Sequence, residues 1–310
     1  MGFRQLRPSR LHEEYLVKKK IHFIGVGKMG LPMATHLLAA GHAVSVYDPS
    51  EERLGMARFH GLEVSSNTAD AIASSDAIFS SLPNDKALRE VASQVATLAT
   101  RGSIFVDTST VSQQASTHVA GLCRNAGVRY LRTTVSGNNK MAEAAQLTVM
   151  ASGPRAAYDE MLPLLQLLGP HQFYLGDGEQ ARLMKLVVNL MIAQTSAMLA
   201  EGLALGRKGG LDWRDMWKVL GASAVGSPIL KAKSVQLSER DFTPTFTVHQ
   251  MIKDLDLILG EGEALHSPLP HTALVHQQMH AAVAQGDGED DYAAIIKALE
   301  RSAGLDTSGN

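Results

Sequence analysis

Cysteine occurs once, at Cys123, so the chain cannot close an intrachain disulfide and has no cysteine cluster for zinc or an iron–sulfur centre. That fits a reducing compartment, and cytoplasmic residence is the expectation. A dominant charge is also lacking: 29 Lys and Arg stand against 31 Asp and Glu, a formal net charge of -2. Without a basic field the chain has no general hold on nucleic acid or an anionic membrane, and neither is expected as a partner. Nowhere do about 18 apolar residues follow one another, so no transmembrane helix is expected. The first twenty residues carry six Lys or Arg beside Glu13 and Glu14, without the apolar core of a secretion signal. They read as a disordered or extended tail.

What is present is a globular composition, 45% apolar and 19% charged over 310 residues, enough for two domains. The patterning changes once. From Ile21 to about Leu175, short runs (IHFIGVG, AVSVYD, AIFSSLP, SIFVDTS, LTVMASG, HQFYLG) alternate with alanine-rich helical stretches. This predicts βαβ units on a largely parallel, doubly wound sheet. After Gly178 the strand signals stop, and the residues from Glu179 predict one long helix, closed by Gly209 and Gly210. WRDMWKVLGA, MIKDLDLILGEGEAL and DDYAAIIKALER supply further helices. The predicted class is α/β: a tail (1–20), a doubly wound domain (21–180), an all-helical domain that includes the long interdomain helix (181–303) and a flexible tail (304–310).

Gly25, Gly27 and Gly30 form G-x-G-x-x-G directly after a strand and directly before a helix. That spacing turns the chain tightly and aims backbone N–H groups at a pyrophosphate, with Lys28 and Met29 inside the turn. The second predicted strand ends at Asp48. A carboxylate there accepts from the adenosine ribose hydroxyls and repels the 2′-phosphate of NADP. A Rossmann domain is thus expected, with NAD as its cofactor and NADP as the alternative.

Lys185 and Asn189 stand four residues apart on the long helix, one turn apart on one face. A lysine on a mostly apolar helix can deliver a proton to a carbonyl oxygen while hydride reaches the carbon, and the asparagine amide can orient that oxygen. Desolvation or a nearby cation lowers the lysine pKa toward the working range. A lysine snorkelling from an amphipathic helix has the same spacing. Both readings stay open on spacing alone.

GVGKMGLPMATHLLAAGH resembles the N-terminal signature of the β-hydroxyacid dehydrogenases, a family that includes 3-hydroxyisobutyrate dehydrogenase, tartronate semialdehyde reductase and, more distantly, 6-phosphogluconate dehydrogenase. Further motifs resemble that family in its order: DTST from Asp107, VSGNNKMAEAAQLTVMASG from Val135, GDGEQARLMKLVVN from Gly176 and FTVHQMIKDLDLIL from Phe246. The likeness runs from about Ile21 to Arg301. It implies a Rossmann domain, a helical domain and an active site in the cleft between them, with hydride transfer between NAD(P) and a small β-hydroxyacid or its semialdehyde. By resemblance, Lys185 is the catalytic lysine and Asn189 the asparagine that holds substrate. Ser136, Gly137 and Asn138 fall on the substrate-carboxylate loop. Leu82, Pro83 and Asn84 match the adenosine-side turn, and Thr110 and Lys253 match cofactor contacts near the nicotinamide. Taken singly, Thr110 also reads as a helix cap, Leu82-Pro83 as a strand terminator and Lys253 as a charge paired with a neighbouring acid.

The chain departs from the family pattern at RTTVSGNN, where Arg132, Thr133 and Thr134 precede Val135 and Asn138 replaces a glycine. An altered substrate loop is the expectation. Val188 stands where the family often has a first asparagine. His276 and His280 share a helix face, but with no third ligand in pattern no metal is expected. An imine reductase of the same architecture, a 6-phosphogluconate dehydrogenase and a non-catalytic nucleotide-binding module are the competing readings. Lys185, the chain length and the retained Lys185, Asn189 and Ser136 weigh against them in turn. As in relatives, a homodimer or homotetramer is expected.

Overall fold

The computed structural model describes residues 17–306; the tails expected at 1–20 and 304–310 lie mostly outside them. Lys20, expected in the tail, opens the first strand. The chain divides after Arg182 into two compact units.

The first unit is an eight-stranded sheet in the order β3-β2-β1-β4-β5-β6-β7-β8. Its strands are β1 Lys20–Ile24, β2 Ala43–Tyr47, β3 Glu63–Val64, β4 Ala77–Ser80, β5 Ile104–Asp107, β6 Arg129–Ser136, β7 Thr148–Ser152 and β8 His171–Tyr174. β1 to β6 are parallel, β7 runs antiparallel to β6, and β8 is parallel to β7. Helices α1 Gly30–Ala39, α2 Glu51–Phe59, α3 Thr68–Ala73, α4 Asp85–Leu98, α5 Gln113–Ala126, α6 Asn139–Glu143 and α7 Arg155–Leu165 connect the strands.

Alternation of side chains along each strand fills two cores. Phe23, Phe79 and Val106 pack with Leu37 of α1 and Met161 of α7, whereas Ile24, Ile78 and Phe105 pack with Leu88 of α4 and Val119 of α5. Cys123 sits in the second core, where burial pushes its thiol up to about 12. It packs as a small hydrophobe. The strand order reverses between β1 and β4, so the turns that follow them diverge, and such a switch point opens the crevice where doubly wound sheets bind ligands.

β6 is the longest strand and carried no strand signal. Its apolar run is interrupted by Arg132, Thr133 and Thr134, all buried. Those three residues, read from sequence as part of an altered substrate loop, are instead interior strand. The Arg132 guanidinium pairs with Glu179 and donates to Ser116 Oγ at 3.2 Å. Thr133 donates to the Asp107 carbonyl at 3.3 Å and Thr134 to the Ala181 carbonyl at 2.9 Å.

After α6 the chain closes a Schellman turn: Gln146 N–H donates to the Met141 carbonyl at 2.8 Å and Ala145 N–H to the Ala142 carbonyl at 3.2 Å. The residue in the left-handed position is Ala145, at φ 52°. Glycine avoids the Cβ penalty there. Ala145→Gly is therefore expected to stabilise the protein by about 0.5–1 kcal/mol, after its larger unfolded-state entropy is subtracted. Chemical denaturation checks it through a raised midpoint at unchanged slope.

The second unit is helical: α8 Gln180–Lys208, whose first residues belong to unit 1, then α9 Trp213–Ala222, α10 Pro228–Leu237, α11 Val248–Ala264, α12 Pro270–Ala284 and α13 Ile295–Ser302. Leu186, Ala200, Trp213, Trp217, Leu255 and Tyr292 are part of its core. By length and composition alone α8 passes the test for a membrane span, although it holds no run of about 18 apolar residues. Lys185, Asn189 and Gln194 break the run without lowering its mean hydropathy enough. Its residues Ala193, Ala197 and Leu203 belong to the same core, as in the central helix of a bundle.

Candidate active site

The glycine turn joins β1 to α1. Gly25 has φ 92°, and a Cβ on it would lie 2.3 Å from the Ser81 carbonyl oxygen; one on Gly30 would lie 1.9 Å from the Gly25 carbonyl oxygen. Only glycine lets the turn close this tightly. Gly27, by contrast, meets only the Arg53 guanidinium, 3.7 Å away, so a side chain there would fill the space over the turn. Beside it an open cavity of about 630 Å³ is lined by Gly27, Lys28, Leu31, Arg53 and Met56, among others. No side chain caps α1, whereas Ser50, Asn67, Asn84 and Ser112 cap α2 to α5. An uncapped helix start behind a glycine turn fits the pyrophosphate of a dinucleotide.

Asp48 is only 2% exposed. Its carboxylate accepts from Val26 N–H at 3.0 Å and Ser50 N–H at 2.9 Å, and Arg53 lies 3.5 Å away. Placed just after β2, which ends at Tyr47 rather than at Asp48, it ties the glycine turn in place. Sequence spacing located the residue but not the direction of its carboxylate.

On the other side of the switch point, one buried carboxylate organises the turns after β4 and β5. Asp107 accepts from Ser80 Oγ at 2.6 Å and Ser109 Oγ at 2.5 Å, and Ser109 Oγ accepts in turn from Leu82 N–H at 2.8 Å. Arg182 and Tyr130 also donate to Asp107, and Arg182 donates to the Ser109 carbonyl. The half-buried Leu82 is thus held by a network that the sequence motifs do not reveal, and the half-buried Thr110 follows Ser109, a member of it. Asn84 caps α4 through Ala87 N–H at 3.0 Å, which commits its carbonyl oxygen. Ser112 rather than Thr110 caps α5.

Ser136 ends β6, and Gly137 follows at φ 140°, where a Cβ would lie 2.6 Å from Leu147. Asn138 caps α6 by accepting from Met141 N–H at 3.0 Å. Its NH₂ group takes no part in that cap.

In unit 2, Lys185, Asn189 and Lys253 gather around Asp254, a residue of the FTVHQMIKDLDLIL motif to which sequence alone assigned no role. Asp254 is 2% exposed. Asn189 Nδ2 donates to its Oδ2 at 2.5 Å, and Lys253 Nζ lies 2.9 Å from its Oδ1. Burial lowers the pKa of Lys185; the Asp254 charge opposes that shift and Lys253 adds to it. Such a lysine is closer than an exposed one to a pKa suited to proton transfer. Among the described residues no three His, Cys, Asp or Glu side chains form a metal site.

Comparison with known proteins fits this geometry. Residues 20–176 match the NAD binding domain of 6-phosphogluconate dehydrogenase, and residues 179–299 match the NAD-binding domain of NADP-dependent 3-hydroxyisobutyrate dehydrogenase. The chain is 34% identical to 2-(hydroxymethyl)glutarate dehydrogenase of Eubacterium barkeri, over 94% of its own length and 98% of the relative's. It is 30% identical to the chloroplastic glyoxylate/succinic semialdehyde reductase 2 of Arabidopsis thaliana, over 90% and 79%. A solved structure of 3-hydroxyisobutyrate dehydrogenase from Mycobacterium tuberculosis superposes with a TM-score of 0.82 at 26% identity, covering 91% of this chain and 99% of that one. With both domains matched and whole-length relatives at this identity, the chain belongs to the β-hydroxyacid dehydrogenase family of NAD(P)-dependent oxidoreductases.

Proposed function

We propose that this enzyme moves hydride reversibly between NAD(H) and a small β-hydroxyacid or its semialdehyde, with Lys185 carrying the proton. The observation that supports this best is the cluster of Lys185, Asn189 and Lys253 around one buried carboxylate. A bound nicotinamide supplies or accepts the hydride. Lys185 gives a proton to the carbonyl oxygen in reduction and takes it from the hydroxyl in oxidation, while Asn189 orients that oxygen. The Ser136 hydroxyl and the amides of Gly137 and Asn138 receive the substrate carboxylate, an anion best met by fixed donors. Retention of the lysine weighs against imine reduction and against an idle nucleotide-binding module.

For the cofactor we propose NAD, on the fixed negative charge of Asp48 behind the ribose position. Arg53 beside it could meet a 2′-phosphate, so both dinucleotides belong in the assay. The experiment follows nicotinamide absorbance with NAD and NADP over a panel of hydroxyacids and semialdehydes, for wild type and Lys185→Ala. The panel includes 2-(hydroxymethyl)glutarate, 3-hydroxyisobutyrate and succinic semialdehyde, compounds named by the relatives. Turnover of one acid that is lost in the variant supports the reading; a variant as fast as wild type overturns it.

A homo-oligomer is proposed as the working form. Met184, Met191, Met198 and Leu205 recur every seven residues on α8, and all four are exposed. An apolar stripe along a helix favours burial against another chain. Met191→Glu with Met198→Glu is expected to reduce the mass found by light scattering to that of one chain.

A further inference from the structure

Asp254 is a buried charge at the centre of the cluster, and the proton-transfer reading gives it no role of its own. A carboxylate taken out of water is costly unless it is paired, and the other buried acids of unit 2 show what structural pairing looks like there. Asp291 accepts from the backbone N–H groups of Thr245 and Ala293 as well as from Lys233, and so ties distant segments together. Glu300 pairs with Arg207 and Arg240. Asp254 differs in the company it keeps. Among the described residues its side-chain partners are Asn189 and Lys253, both already implicated in the site, and its field acts on Lys185.

An ionised carboxylate only accepts, so the Asn189 amide must turn its NH₂ toward Asp254 and its carbonyl oxygen away. The pairing therefore chooses which end of the amide is left for other partners. We propose that Asp254 is the positioning residue of the site: without touching substrate, it orients the Asn189 amide and holds a counter-charge opposite Lys185. This rests on the reading of Lys185 as the proton carrier.

The charged groups that act on Lys185 are Asp254 and Lys253, both on α11. Asp254→Asn removes the anion that favours the ammonium and leaves the cation that opposes it, so the Lys185 pKa falls. In the reduction direction protonated Lys185 is required, and the alkaline limb of the kcat–pH profile should move down by about one unit or more. The amide that this substitution introduces can also donate to Asn189 and flip its side chain, so kcat should fall on the order of 10- to 100-fold.

The test measures kcat against pH at saturating cofactor for wild type, Asp254→Asn, Lys253→Gln and Lys185→Ala. The expected result is a downward shift of the limb for Asp254→Asn and an upward shift for Lys253→Gln, in which the Asp254 charge faces Lys185 without its competitor. An Asp254→Asn enzyme with a wild-type limb overturns the positioning role even where kcat has dropped, because a merely structural acid would change yield or melting and leave the limb in place. Should that variant fail to fold, the Lys253→Gln shift decides alone, and an unmoved or lowered limb overturns the proposal. Full activity in Lys185→Ala would instead overturn the proton-carrier reading, so the two failures are distinguishable.

Discussion

Lys185→Ala should turn over its hydroxyacid about 10²- to 10⁴-fold more slowly than wild type, the range that a positioned acid–base group contributes. Alanine cannot carry a proton, yet it leaves α8 intact as a strong helix former. Dinucleotide binding, which the glycine turn of unit 1 is proposed to perform, should remain, and quenching of protein fluorescence by the dinucleotide checks this. Lys185→Arg sharpens the result. Arginine retains a cation but does not release its proton in the working pH range, so it should be nearly as slow as alanine if the lysine moves a proton, and nearly wild type if only charge matters. The pH dependence has a definite sign. Because burial lowers the lysine pKa, oxidation should rise and reduction fall as pH climbs through a value below that of a solvated lysine. The alanine variant should lose that limb in both directions.

Much of this site was legible in the sequence because its parts are short and local. Gly25 is dictated by its positive φ and Gly30 by closeness to the Gly25 carbonyl within a six-residue turn, and Lys185 and Asn189 meet on one face through helix geometry alone. What stayed hidden depends on long-range pairing. β6 escaped notice because Arg132, Thr133 and Thr134 break its apolar pattern, and the partners that make them tolerable inside, among them Ser116, Glu179 and Ala181, are far away in sequence. Asp254 was visible as half of a Lys-Asp pair, but a helix pattern cannot say which of two adjacent residues faces inward toward α8. Asp48 was found by its distance from Gly25, while the Val26 amide that takes up its carboxylate appears only once β1 and β2 are paired.

The largest stability effect is expected at Arg182, one turn before Lys185 on α8. Arg182 and Asp107 are both fully buried and paired, and Arg182 also donates to Tyr130 Oη at 2.8 Å. Arg182→Met should cost about 3–5 kcal/mol, because methionine fills the space but leaves the Asp107 charge without its cation. In a chain of this size that lowers the melting temperature by roughly 10 °C. Asp107→Asn with Arg182→Met removes both charges, and should recover a large part of the loss even though it restores no ion pair. The comparison separates two accounts of the pair. If its value lay in mutual attraction, the double variant would be no more stable than either single one; if the cost lies in stranding a charge, the double variant recovers. Stability is not all that the pair governs. Ser109 Oγ, held by Asp107, receives the Leu82 amide, so both turns beside the switch point are fixed through that one carboxylate. With the Asp107 side chain altered in the double variant, those turns lose an acceptor that asparagine replaces only in part. Its KM for the dinucleotide should therefore rise even after folding has recovered, and steady-state kinetics well below its melting temperature would separate the structural role of the pair from its role in shaping the proposed cofactor site.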